Sequence, residues 1–538
     1  MYWPDTVVFW GAGATASLNF PTTDSLGSGI GKMILCNNNV QKLIDAMESS
    51  SFCQVIAHEL ADFLSVLYAK DLGDVSDCAM ECGKRIFPSL DSQSLRSHII
   101  NLRFHYDWYA LTMVGHKICQ ESLKTSQKCD VNDLYNAIDD GLSHCSGIVV
   151  QDGDDVIILE GSRLKNARTL LDAIQMWRIS SAYQSILEND PKKLNSYIKL
   201  AEDLATLMQE EGVHQESKNV CSRDFYLFSY AVISLNYDPL LIWLLFNAHK
   251  KFNDDNPPCV TKTNRSLKLF HDFSLLFGIR EIYSQPGQCT DSNKIWYPAN
   301  EGAVQRINGY ENLDRIMRIG KFYYPHGNLG FRRCPNCSKL NIKLGDQWEN
   351  HSKSLFYNYP FASRFNSELR TPKEKEAFEK GFYDAIECPF CGTLTYGYNG
   401  AFVTQSSFKK EPPSFLREME DDLKVTFAKA KHIVLMGYSL PKDDALWRTY
   451  FLSKKGKGDV FCSVVVGYKG EKRWINFGCV DSWLSKCKEK DESSRELDAS
   501  GITAVETAME IFGKENVRIY AGGIPQVFHN GIDDVRAL

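Results

Sequence analysis

The sequence predicts an α/β protein in which a Rossmann-like, largely parallel sheet carries a large helical insertion and a zinc-ribbon module. Three observations carry that expectation. The chain opens on a short apolar run that enters a glycine turn, Thr6-Val-Val-Phe-Trp10 followed by Gly11-Ala-Gly-Ala-Thr-Ala16. Its last third alternates apolar strand-like runs with helical stripes, the pattern of parallel strands joined by crossover helices. Between residues 25 and 222, apolar side chains instead recur three or four apart, the spacing of helices with one buried face.

Composition narrows the class. A chain of 538 residues with 43% hydrophobic content can build a large core without disulfides, and a net charge of −6 gives no general attraction to nucleic acid or anionic membrane. Direct nucleic-acid or membrane binding is therefore not expected. The N-terminus has Pro4 and Asp5 where a secretory signal would be apolar, and the most apolar long stretch, Tyr226 to Ala248, contains Asn236, Asp238 and Pro239. The expectation is a cytoplasmic protein. Most of the 17 cysteines are scattered singly, which fits reduced core thiols.

In chain order, the opening turn has the G-x-G-x-x-A form of a phosphate-binding loop, in which Gly11 and Gly13 would let backbone N–H groups approach a pyrophosphate. An ordinary glycine turn leaving a core strand reads the same way. A dehydrogenase would place an acidic residue about 20 positions on, and Gly31-Lys-Met-Ile-Leu-Cys36 has none. The helical stretch contains Leu43 to Met47, Val55 to Leu64, Leu134 to Ile138 and Leu170 to Ile174, separated by polar breaks such as Gln151-Asp-Gly-Asp-Asp155. Histidines within it such as His58, His98, His105, His116 and His144 are read as hydrogen-bonded structural residues. A strand at Phe228 to Ser234 then delivers Asn236 and Asp238, two apart and so on one side of an extended chain. Asp238 also suits a helix cap before Leu240 to Phe246. Residues 250–300 read as an irregular connection with short elements and apolar islands such as Leu267-Lys-Leu-Phe270.

Next, Phe322-Tyr-Tyr-Pro-His-Gly-Asn328 carries His326 onto a glycine turn expected to expose the imidazole, a group suited to general-base work near neutrality. Cys334-Pro-Asn-Cys337 and Cys388-Pro-Phe-Cys391 are two knuckles whose four thiolates would close a tetrahedral, structural zinc site, although residues 338–387 make an unusually long interval. Phe415, Leu416, Met419, Leu423 and Phe427 form a helical stripe ahead of the strand His432 to Met436, which ends in Gly437-Tyr-Ser439. Val460 to Gly467 is a further strand. A helix is expected from a capping box at Thr503-Ala-Val-Glu506 to Gly513, ahead of a final strand, Val517 to Tyr520.

Taken in order, Gly11-Ala-Gly13, Asn236-Tyr-Asp238, His326-Gly327, the two cysteine pairs and Gly437-Tyr-Ser439 resemble the motif series of the Sir2 (sirtuin) superfamily. Gly11-Ala-Gly-Ala-Thr-Ala-Ser-Leu-Asn-Phe-Pro21 also has the length of the sirtuin G-A-G-x-S-x-x-x-G-x-P loop, with Thr15 in place of the serine. The resemblance covers the first residues and roughly 226–468. It implies NAD as substrate: Gly11, Ala12, Gly13, Thr15 and Pro21 would hold the pyrophosphate and shape the nicotinamide pocket, and Gly437 and Ser439 would line the phosphate and adenosine side. Asn236 would sit beside the nicotinamide ribose, His326 would act as the base, and Asp238 would orient that constellation.

One departure sets the expected activity. After Pro21 the chain reads Thr22-Thr23-Asp24 where deacetylase sirtuins carry Asp-Phe-Arg, so the aromatic residue at the acyl-lysine tunnel is missing. The N-Y-D and G-Y-S-L forms and the helical insertion are more similar to bacterial SIR2-like effectors of antiphage defence, which hydrolyse NAD to nicotinamide and ADP-ribose. The expectation is an NAD glycohydrolase controlled by a separate sensor subunit or by homo-oligomerisation, with the insertion as docking surface. Alternatives from other classes are a protein deacylase or ADP-ribosyltransferase, and a non-catalytic NAD or ADP-ribose sensor. The expected organisation is 1–23 for the first strand and loop, 24–225 for the insertion, 226–470 for the SIR2-like core with zinc ribbon 334–391, and 471–538 for a C-terminal α/β segment.

Overall fold

The computed structural model describes residues 3–529 except 22, 37, 51, 53, 120–129, 145–146, 216–218, 256–258, 273–300, 343, 345–354, 357–369, 404–413, 441–444 and 490–495. Strand β1 (Thr6–Trp10) leads into the insertion, whose helices are α1 (Thr23–Ile34), α2 (Val40–Glu48), α3 (Gln54–Leu67), α4 (Asp77–Ile86), α5 (Ser92–Arg103), α6 (Trp108–Ile118), α7 (Val131–Ser143), α8 (Gly161–Asn189) and α9 (Pro191–Gln215). A short α10 (Arg223–Tyr226) returns the chain to β4 (Leu227–Ser234), followed by α11 (Leu240–Asp254). The insertion is not wholly helical. The polar break at Gln151 to Asp155 is the turn of a hairpin, β2 (Ile148–Asp152) against β3 (Asp155–Leu159).

Beyond α11 come β5 (Ser266–Asp272), α12 (Glu301–Gly309), β6 (Arg315–Tyr323), β7 (Gly327–Arg333), β8 (Leu340–Ile342), α13 (Pro372–Glu379), β9 (Ile386–Glu387), β10 (Leu394–Thr395) and β11 (Gly400–Phe402). The chain ends with α14 (Ser414–Lys429), β12 (His432–Met436), α15 (Ala445–Leu452), β13 (Phe461–Val466), β14 (Arg473–Ile475), α16 (Val480–Lys488), α17 (Ala499–Phe512) and β15 (Val517–Ala521).

An eight-stranded sheet in the order β14-β15-β13-β12-β1-β4-β6-β5 organises these elements, and every neighbouring pair is parallel except β14 with β15. Parallel strands covered on both faces read as unbroken apolar runs, and all five residues of β1 are buried. Leu267 to Phe270, one of the apolar islands of the connection, lies in edge strand β5. The C-terminal α/β segment adds β14 and β15 to the sheet, with the last strand at the expected Val517 to Tyr520.

The insertion shares its core with the sheet, since one apolar cluster runs from Val7 through Leu170 and Trp177 to Phe528. Within it, α8 is buried on every side from Thr169 to Tyr183. Its Asp172 is neutralised by Arg168 and accepts a hydrogen bond from the Tyr135 hydroxyl at 2.7 Å. His105 ties the insertion to the later part of the chain through a buried pairing with Asp384. Most described cysteines are free thiols, as expected, but Cys119 is disulfide-bonded.

The chain first builds outward from β1 through β4 to β5 and β6, then returns to add β12 on the other side of β1. A sheet leaves a crevice where its winding reverses, outside the carboxyl ends of its strands. At this point two glycine loops interlock. Gly11 N–H donates to Met436 O and Gly13 N–H to Gly437 O, both at 2.9 Å. A Cβ on Gly11 would meet Gly437 O at 2.5 Å, and one on Gly13 would meet Gly437 Cα at 2.9 Å. Gly437 itself has φ +62°, and a Cβ there would lie 1.9 Å from Ala14 N. The N–H donors of Gly11 and Gly13 are both used between the loops, and the absence of a side chain on each glycine permits this close backbone approach. Replacing Gly437 by alanine combines left-handed strain with overpacking and is expected to cost about 3 kcal/mol of unfolding free energy. Denaturant titration of Gly437→Ala checks this, and an unchanged midpoint would contradict it.

Candidate ligand cleft and cysteine cluster

A cleft of about 1060 Å³ opens at the carboxyl ends of β1, β4, β12, β13 and β15. That is at the upper end of the ~300–1000 Å³ usual for small-molecule sites. Gly11, Ala12, Gly13, Thr15, Pro21, Asn236, Asp238, Gly437 and Ser439 all line it. Residues from three separate stretches of sequence thus meet in one concavity. His326 is not among the lining residues. The turn expected to expose its imidazole leaves Nε2 buried, and the ring stands beside that of Tyr237, with centroids 6.4 Å apart. Tyr237 lines the cleft, so His326 lies one ring behind the wall. Thr22 and the side chains of Thr23 and Asp24 lie outside the described residues.

Asn236 is held just beyond the end of β4. Leu235 N–H donates to Trp10 O at 2.9 Å, which fixes the backbone leaving the strand. The Asn236 Nδ2 reaches Thr15 Oγ1 at 3.3 Å, while Oδ1 is buried and has no hydrogen-bond partner among the described residues. The residue is only 6% exposed and lines the cleft, so that acceptor is open to a ligand entering it. Asp238 stands one residue before the cap position, Pro239, accepts from the first helical N–H, Leu240 N, at 3.1 Å, and also lines the cleft. Burial raises its pKa from 3.8 to about 6, against the lowering effect of the hydrogen bonds from Leu240 and Asn236. Its backbone is pinned in turn by Asn328, whose Nδ2 donates to Asp238 O at 2.8 Å.

Sequence reasoning missed two walls of this cleft. One comes from the insertion, where Gln175 and Ile179 of α8 line it. The Gln175 amide donates to the Tyr135 hydroxyl, which joins it to the buried Asp172 and Arg168. The other comes from the C-terminal segment, including Lys469, Lys472, Asp498, Ser500 and Gln526. Helix α17 starts four residues before the expected capping box. Asp498 is its cap and accepts from Gly501 N at 2.6 Å, while Thr503 sits inside the helix and donates to Ala499 O at 2.9 Å.

The four cysteines converge. Their sulfur atoms all lie within 4.8 Å of one another, with Cys334 to Cys391 at 3.4 Å and Cys337 to Cys388 at 3.6 Å. Tetrahedral coordination at a Zn–S distance of ~2.3 Å needs sulfurs ~3.8 Å apart, so the set fits a metal such as zinc. The two knuckles match residue for residue. Ser338 N–H donates to Cys334 O at 3.0 Å and Gly392 N–H to Cys388 O at 2.8 Å, with both donors at positive φ. The long interval holds β8 and α13, and β9 and β10 flank the second knuckle. Strand β7, whose Leu329 N–H donates to Tyr237 O at 3.1 Å, runs directly into Cys334, which links the cluster to the segment carrying Asn236 and Asp238.

No family model matches the chain, and no curated protein matches it. Among the described residues, no helix is long and apolar enough to cross a membrane. For the cysteine cluster, elemental analysis of the purified chain is expected to give one zinc per molecule, falling to zero in the Cys337→Ser, Cys388→Ser double variant. Equal metal content in both would show that these thiolates hold none.

Proposed function

We propose that the protein is a sirtuin-type NAD glycohydrolase that cleaves NAD to nicotinamide and ADP-ribose. The observation that carries this reading is the orphaned Asn236 Oδ1, a buried acceptor lining a dinucleotide-sized cleft at the sheet's switch point. An acceptor beside the nicotinamide ribose takes hydrogen bonds from ribose hydroxyls and stabilises positive charge that develops at C1′. In the reaction the C1′–N bond breaks with its electron pair moving to the nicotinamide nitrogen. A water oxygen bonds to C1′ and gives up a proton. Asp238 supplies both negative charge near that cation and a proton acceptor, since its carboxyl changes charge close to neutrality. His326, one ring behind the wall, is the second candidate for that proton.

The fit to hydrolysis rather than acyl or ADP-ribosyl transfer rests on Thr22-Thr23 standing where deacylases carry an aromatic residue. In the same reading the cysteine cluster holds structural zinc, because four thiolates leave no open position for chemistry. We further read the chain as the NAD-depleting effector of an antiphage system, activated by a separate sensor subunit or by assembly of several copies, because unrestrained hydrolysis would exhaust the cell's NAD.

Purified chain, with its activating partner where one is needed, is expected to release nicotinamide from NAD, and Asn236→Ala to lower kcat about 10²- to 10³-fold. Intact NAD under every activating condition would overturn the hydrolase reading, and turnover that requires an acetylated peptide would favour a deacylase. Turnover should rise with pH through about 6, where the buried Asp238 ionises, and that limb should vanish in Asp238→Asn. A limb that persists there and is lost in His326→Ala would move the base to the histidine. Stability runs the other way. The folded pKa is raised, so the folded chain holds a proton that the unfolded chain has lost between about pH 4 and 6. Unfolding free energy therefore falls as pH rises through that window, and Asp238→Asn should flatten the fall.

A further inference from the structure

Tyr197 lies on α9, far in sequence from any recognisable motif, yet its hydroxyl sits in the glycine loop. It donates to Ala14 O at 2.7 Å and lies 2.6 Å from Ser17 Oγ. A phenol has one proton, and here that proton is given to the carbonyl, so the Ser17 hydroxyl donates to the phenol oxygen. The result is a chain of two bonds, Ser17 to Tyr197 to Ala14, that spans both short 3₁₀ turns of the loop, Ala12–Ala14 and Ala16–Leu18. Its ring packs edge-on to Trp10 at 6.0 Å and to Phe528 at 5.9 Å, and the residue is 1% exposed. A phenylalanine would make the same ring contacts. Only the hydroxyl explains a tyrosine.

We propose that Tyr197 is a positioning residue that holds the Gly11–Leu18 loop in its ligand-ready form, so that the helical insertion is a working wall of the cleft. Gly11 and Gly13 fix the loop on its β12 side through Met436 O and Gly437 O, but those bonds end at residue 13. From Ala14 to Leu18 the remaining backbone anchors among the described residues are short turn bonds within the loop, Ala14 N to Gly11 O at 2.9 Å, Thr15 N to Ala12 O at 3.3 Å and Leu18 N to Thr15 O at 3.0 Å. Thr15, which carries the Asn236 amide, lies inside the span that Tyr197 bridges. Releasing the bridge loosens the residue that orients the proposed catalytic asparagine, and ligand must then reorder the loop on binding.

Its effect on NAD rests on the glycohydrolase reading; the clamp itself does not. Hydrogen exchange of the ligand-free full chain separates the two. In Tyr197→Phe, the Ala14, Thr15 and Leu18 amides are expected to exchange about fivefold faster, the equivalent of one net hydrogen bond. Amides of β1, β12 and the body of α9 should keep wild-type rates. Ser17→Ala, which leaves the Tyr197 to Ala14 bond, should give a smaller increase. Wild-type loop rates in Tyr197→Phe would overturn the clamp, as would an acceleration spread evenly through α9. With NAD, KM should rise about fivefold while kcat changes less than twofold, because loop ordering adds equally to ground-state and transition-state binding. Unchanged KM alongside faster loop exchange would overturn the link to ligand binding. Absence of NAD turnover in the wild type would reject the hydrolase reading and leave the exchange result to decide the clamp.

Discussion

The site depends on the meeting of Gly11 and Gly13 with Gly437. Two backbone hydrogen bonds join loops that leave adjacent parallel strands, and the Cβ distances leave no room for a side chain on any of the three residues. The lining residues of the first loop and of Gly437 to Ser439 take their positions from this contact. It sets how far the first loop departs from β1, which brings Thr15 to Asn236 and opens the space between Pro21, Asp238 and Ser439. The alternation of the sheet supplies rigid strand ends, and the glycine contact fixes the geometry between them.

Against that rigid frame, the polar groups of the site are held at some cost. Asp238 is buried deeply enough to favour its neutral form, and Asn236 keeps an acceptor unused. Each feature opposes folding on its own account, since buried polar groups normally find partners. Their cost is offset by a shared apolar core that runs from the sheet through the insertion to the last 3₁₀ turn. The bond from Leu240 N and the pinning of its backbone by Asn328 leave that carboxyl little freedom to move away. A strained polar pair inside a well-packed surround is what a preorganised site requires.

Local signals in the sequence found the parts whose chemistry is local. The glycine turn, the Asn236 and Asp238 pair and the two C-P-x-C knuckles each carry their geometry within a few residues, and each lies where its pattern implied. What escaped notice depends on distant segments. Tyr197 and Gln175 reach the cleft from a helical stretch whose periodicity reports only burial, and no spacing rule connects them to residue 14 or 236. Strand β5 was hidden because its inward residues, Leu267, Leu269 and His271, alternate with lysine and phenylalanine at a sheet edge. His326 shows the converse limit: the Pro325 and Gly327 turn is legible, but which side of Tyr237 the imidazole takes is set by β7 and β11 packing around it.

A crystal structure of the chain soaked with ADP-ribose tests the central claim most directly. The account predicts difference density in the cleft with the diphosphate beside the Ala12 to Ser17 turn and a ribose hydroxyl donating to Asn236 Oδ1. The Gly11, Gly13 and Gly437 contact should be unchanged. Density for ADP-ribose elsewhere, or an Asn236 side chain left untouched by ligand in the cleft, would contradict it.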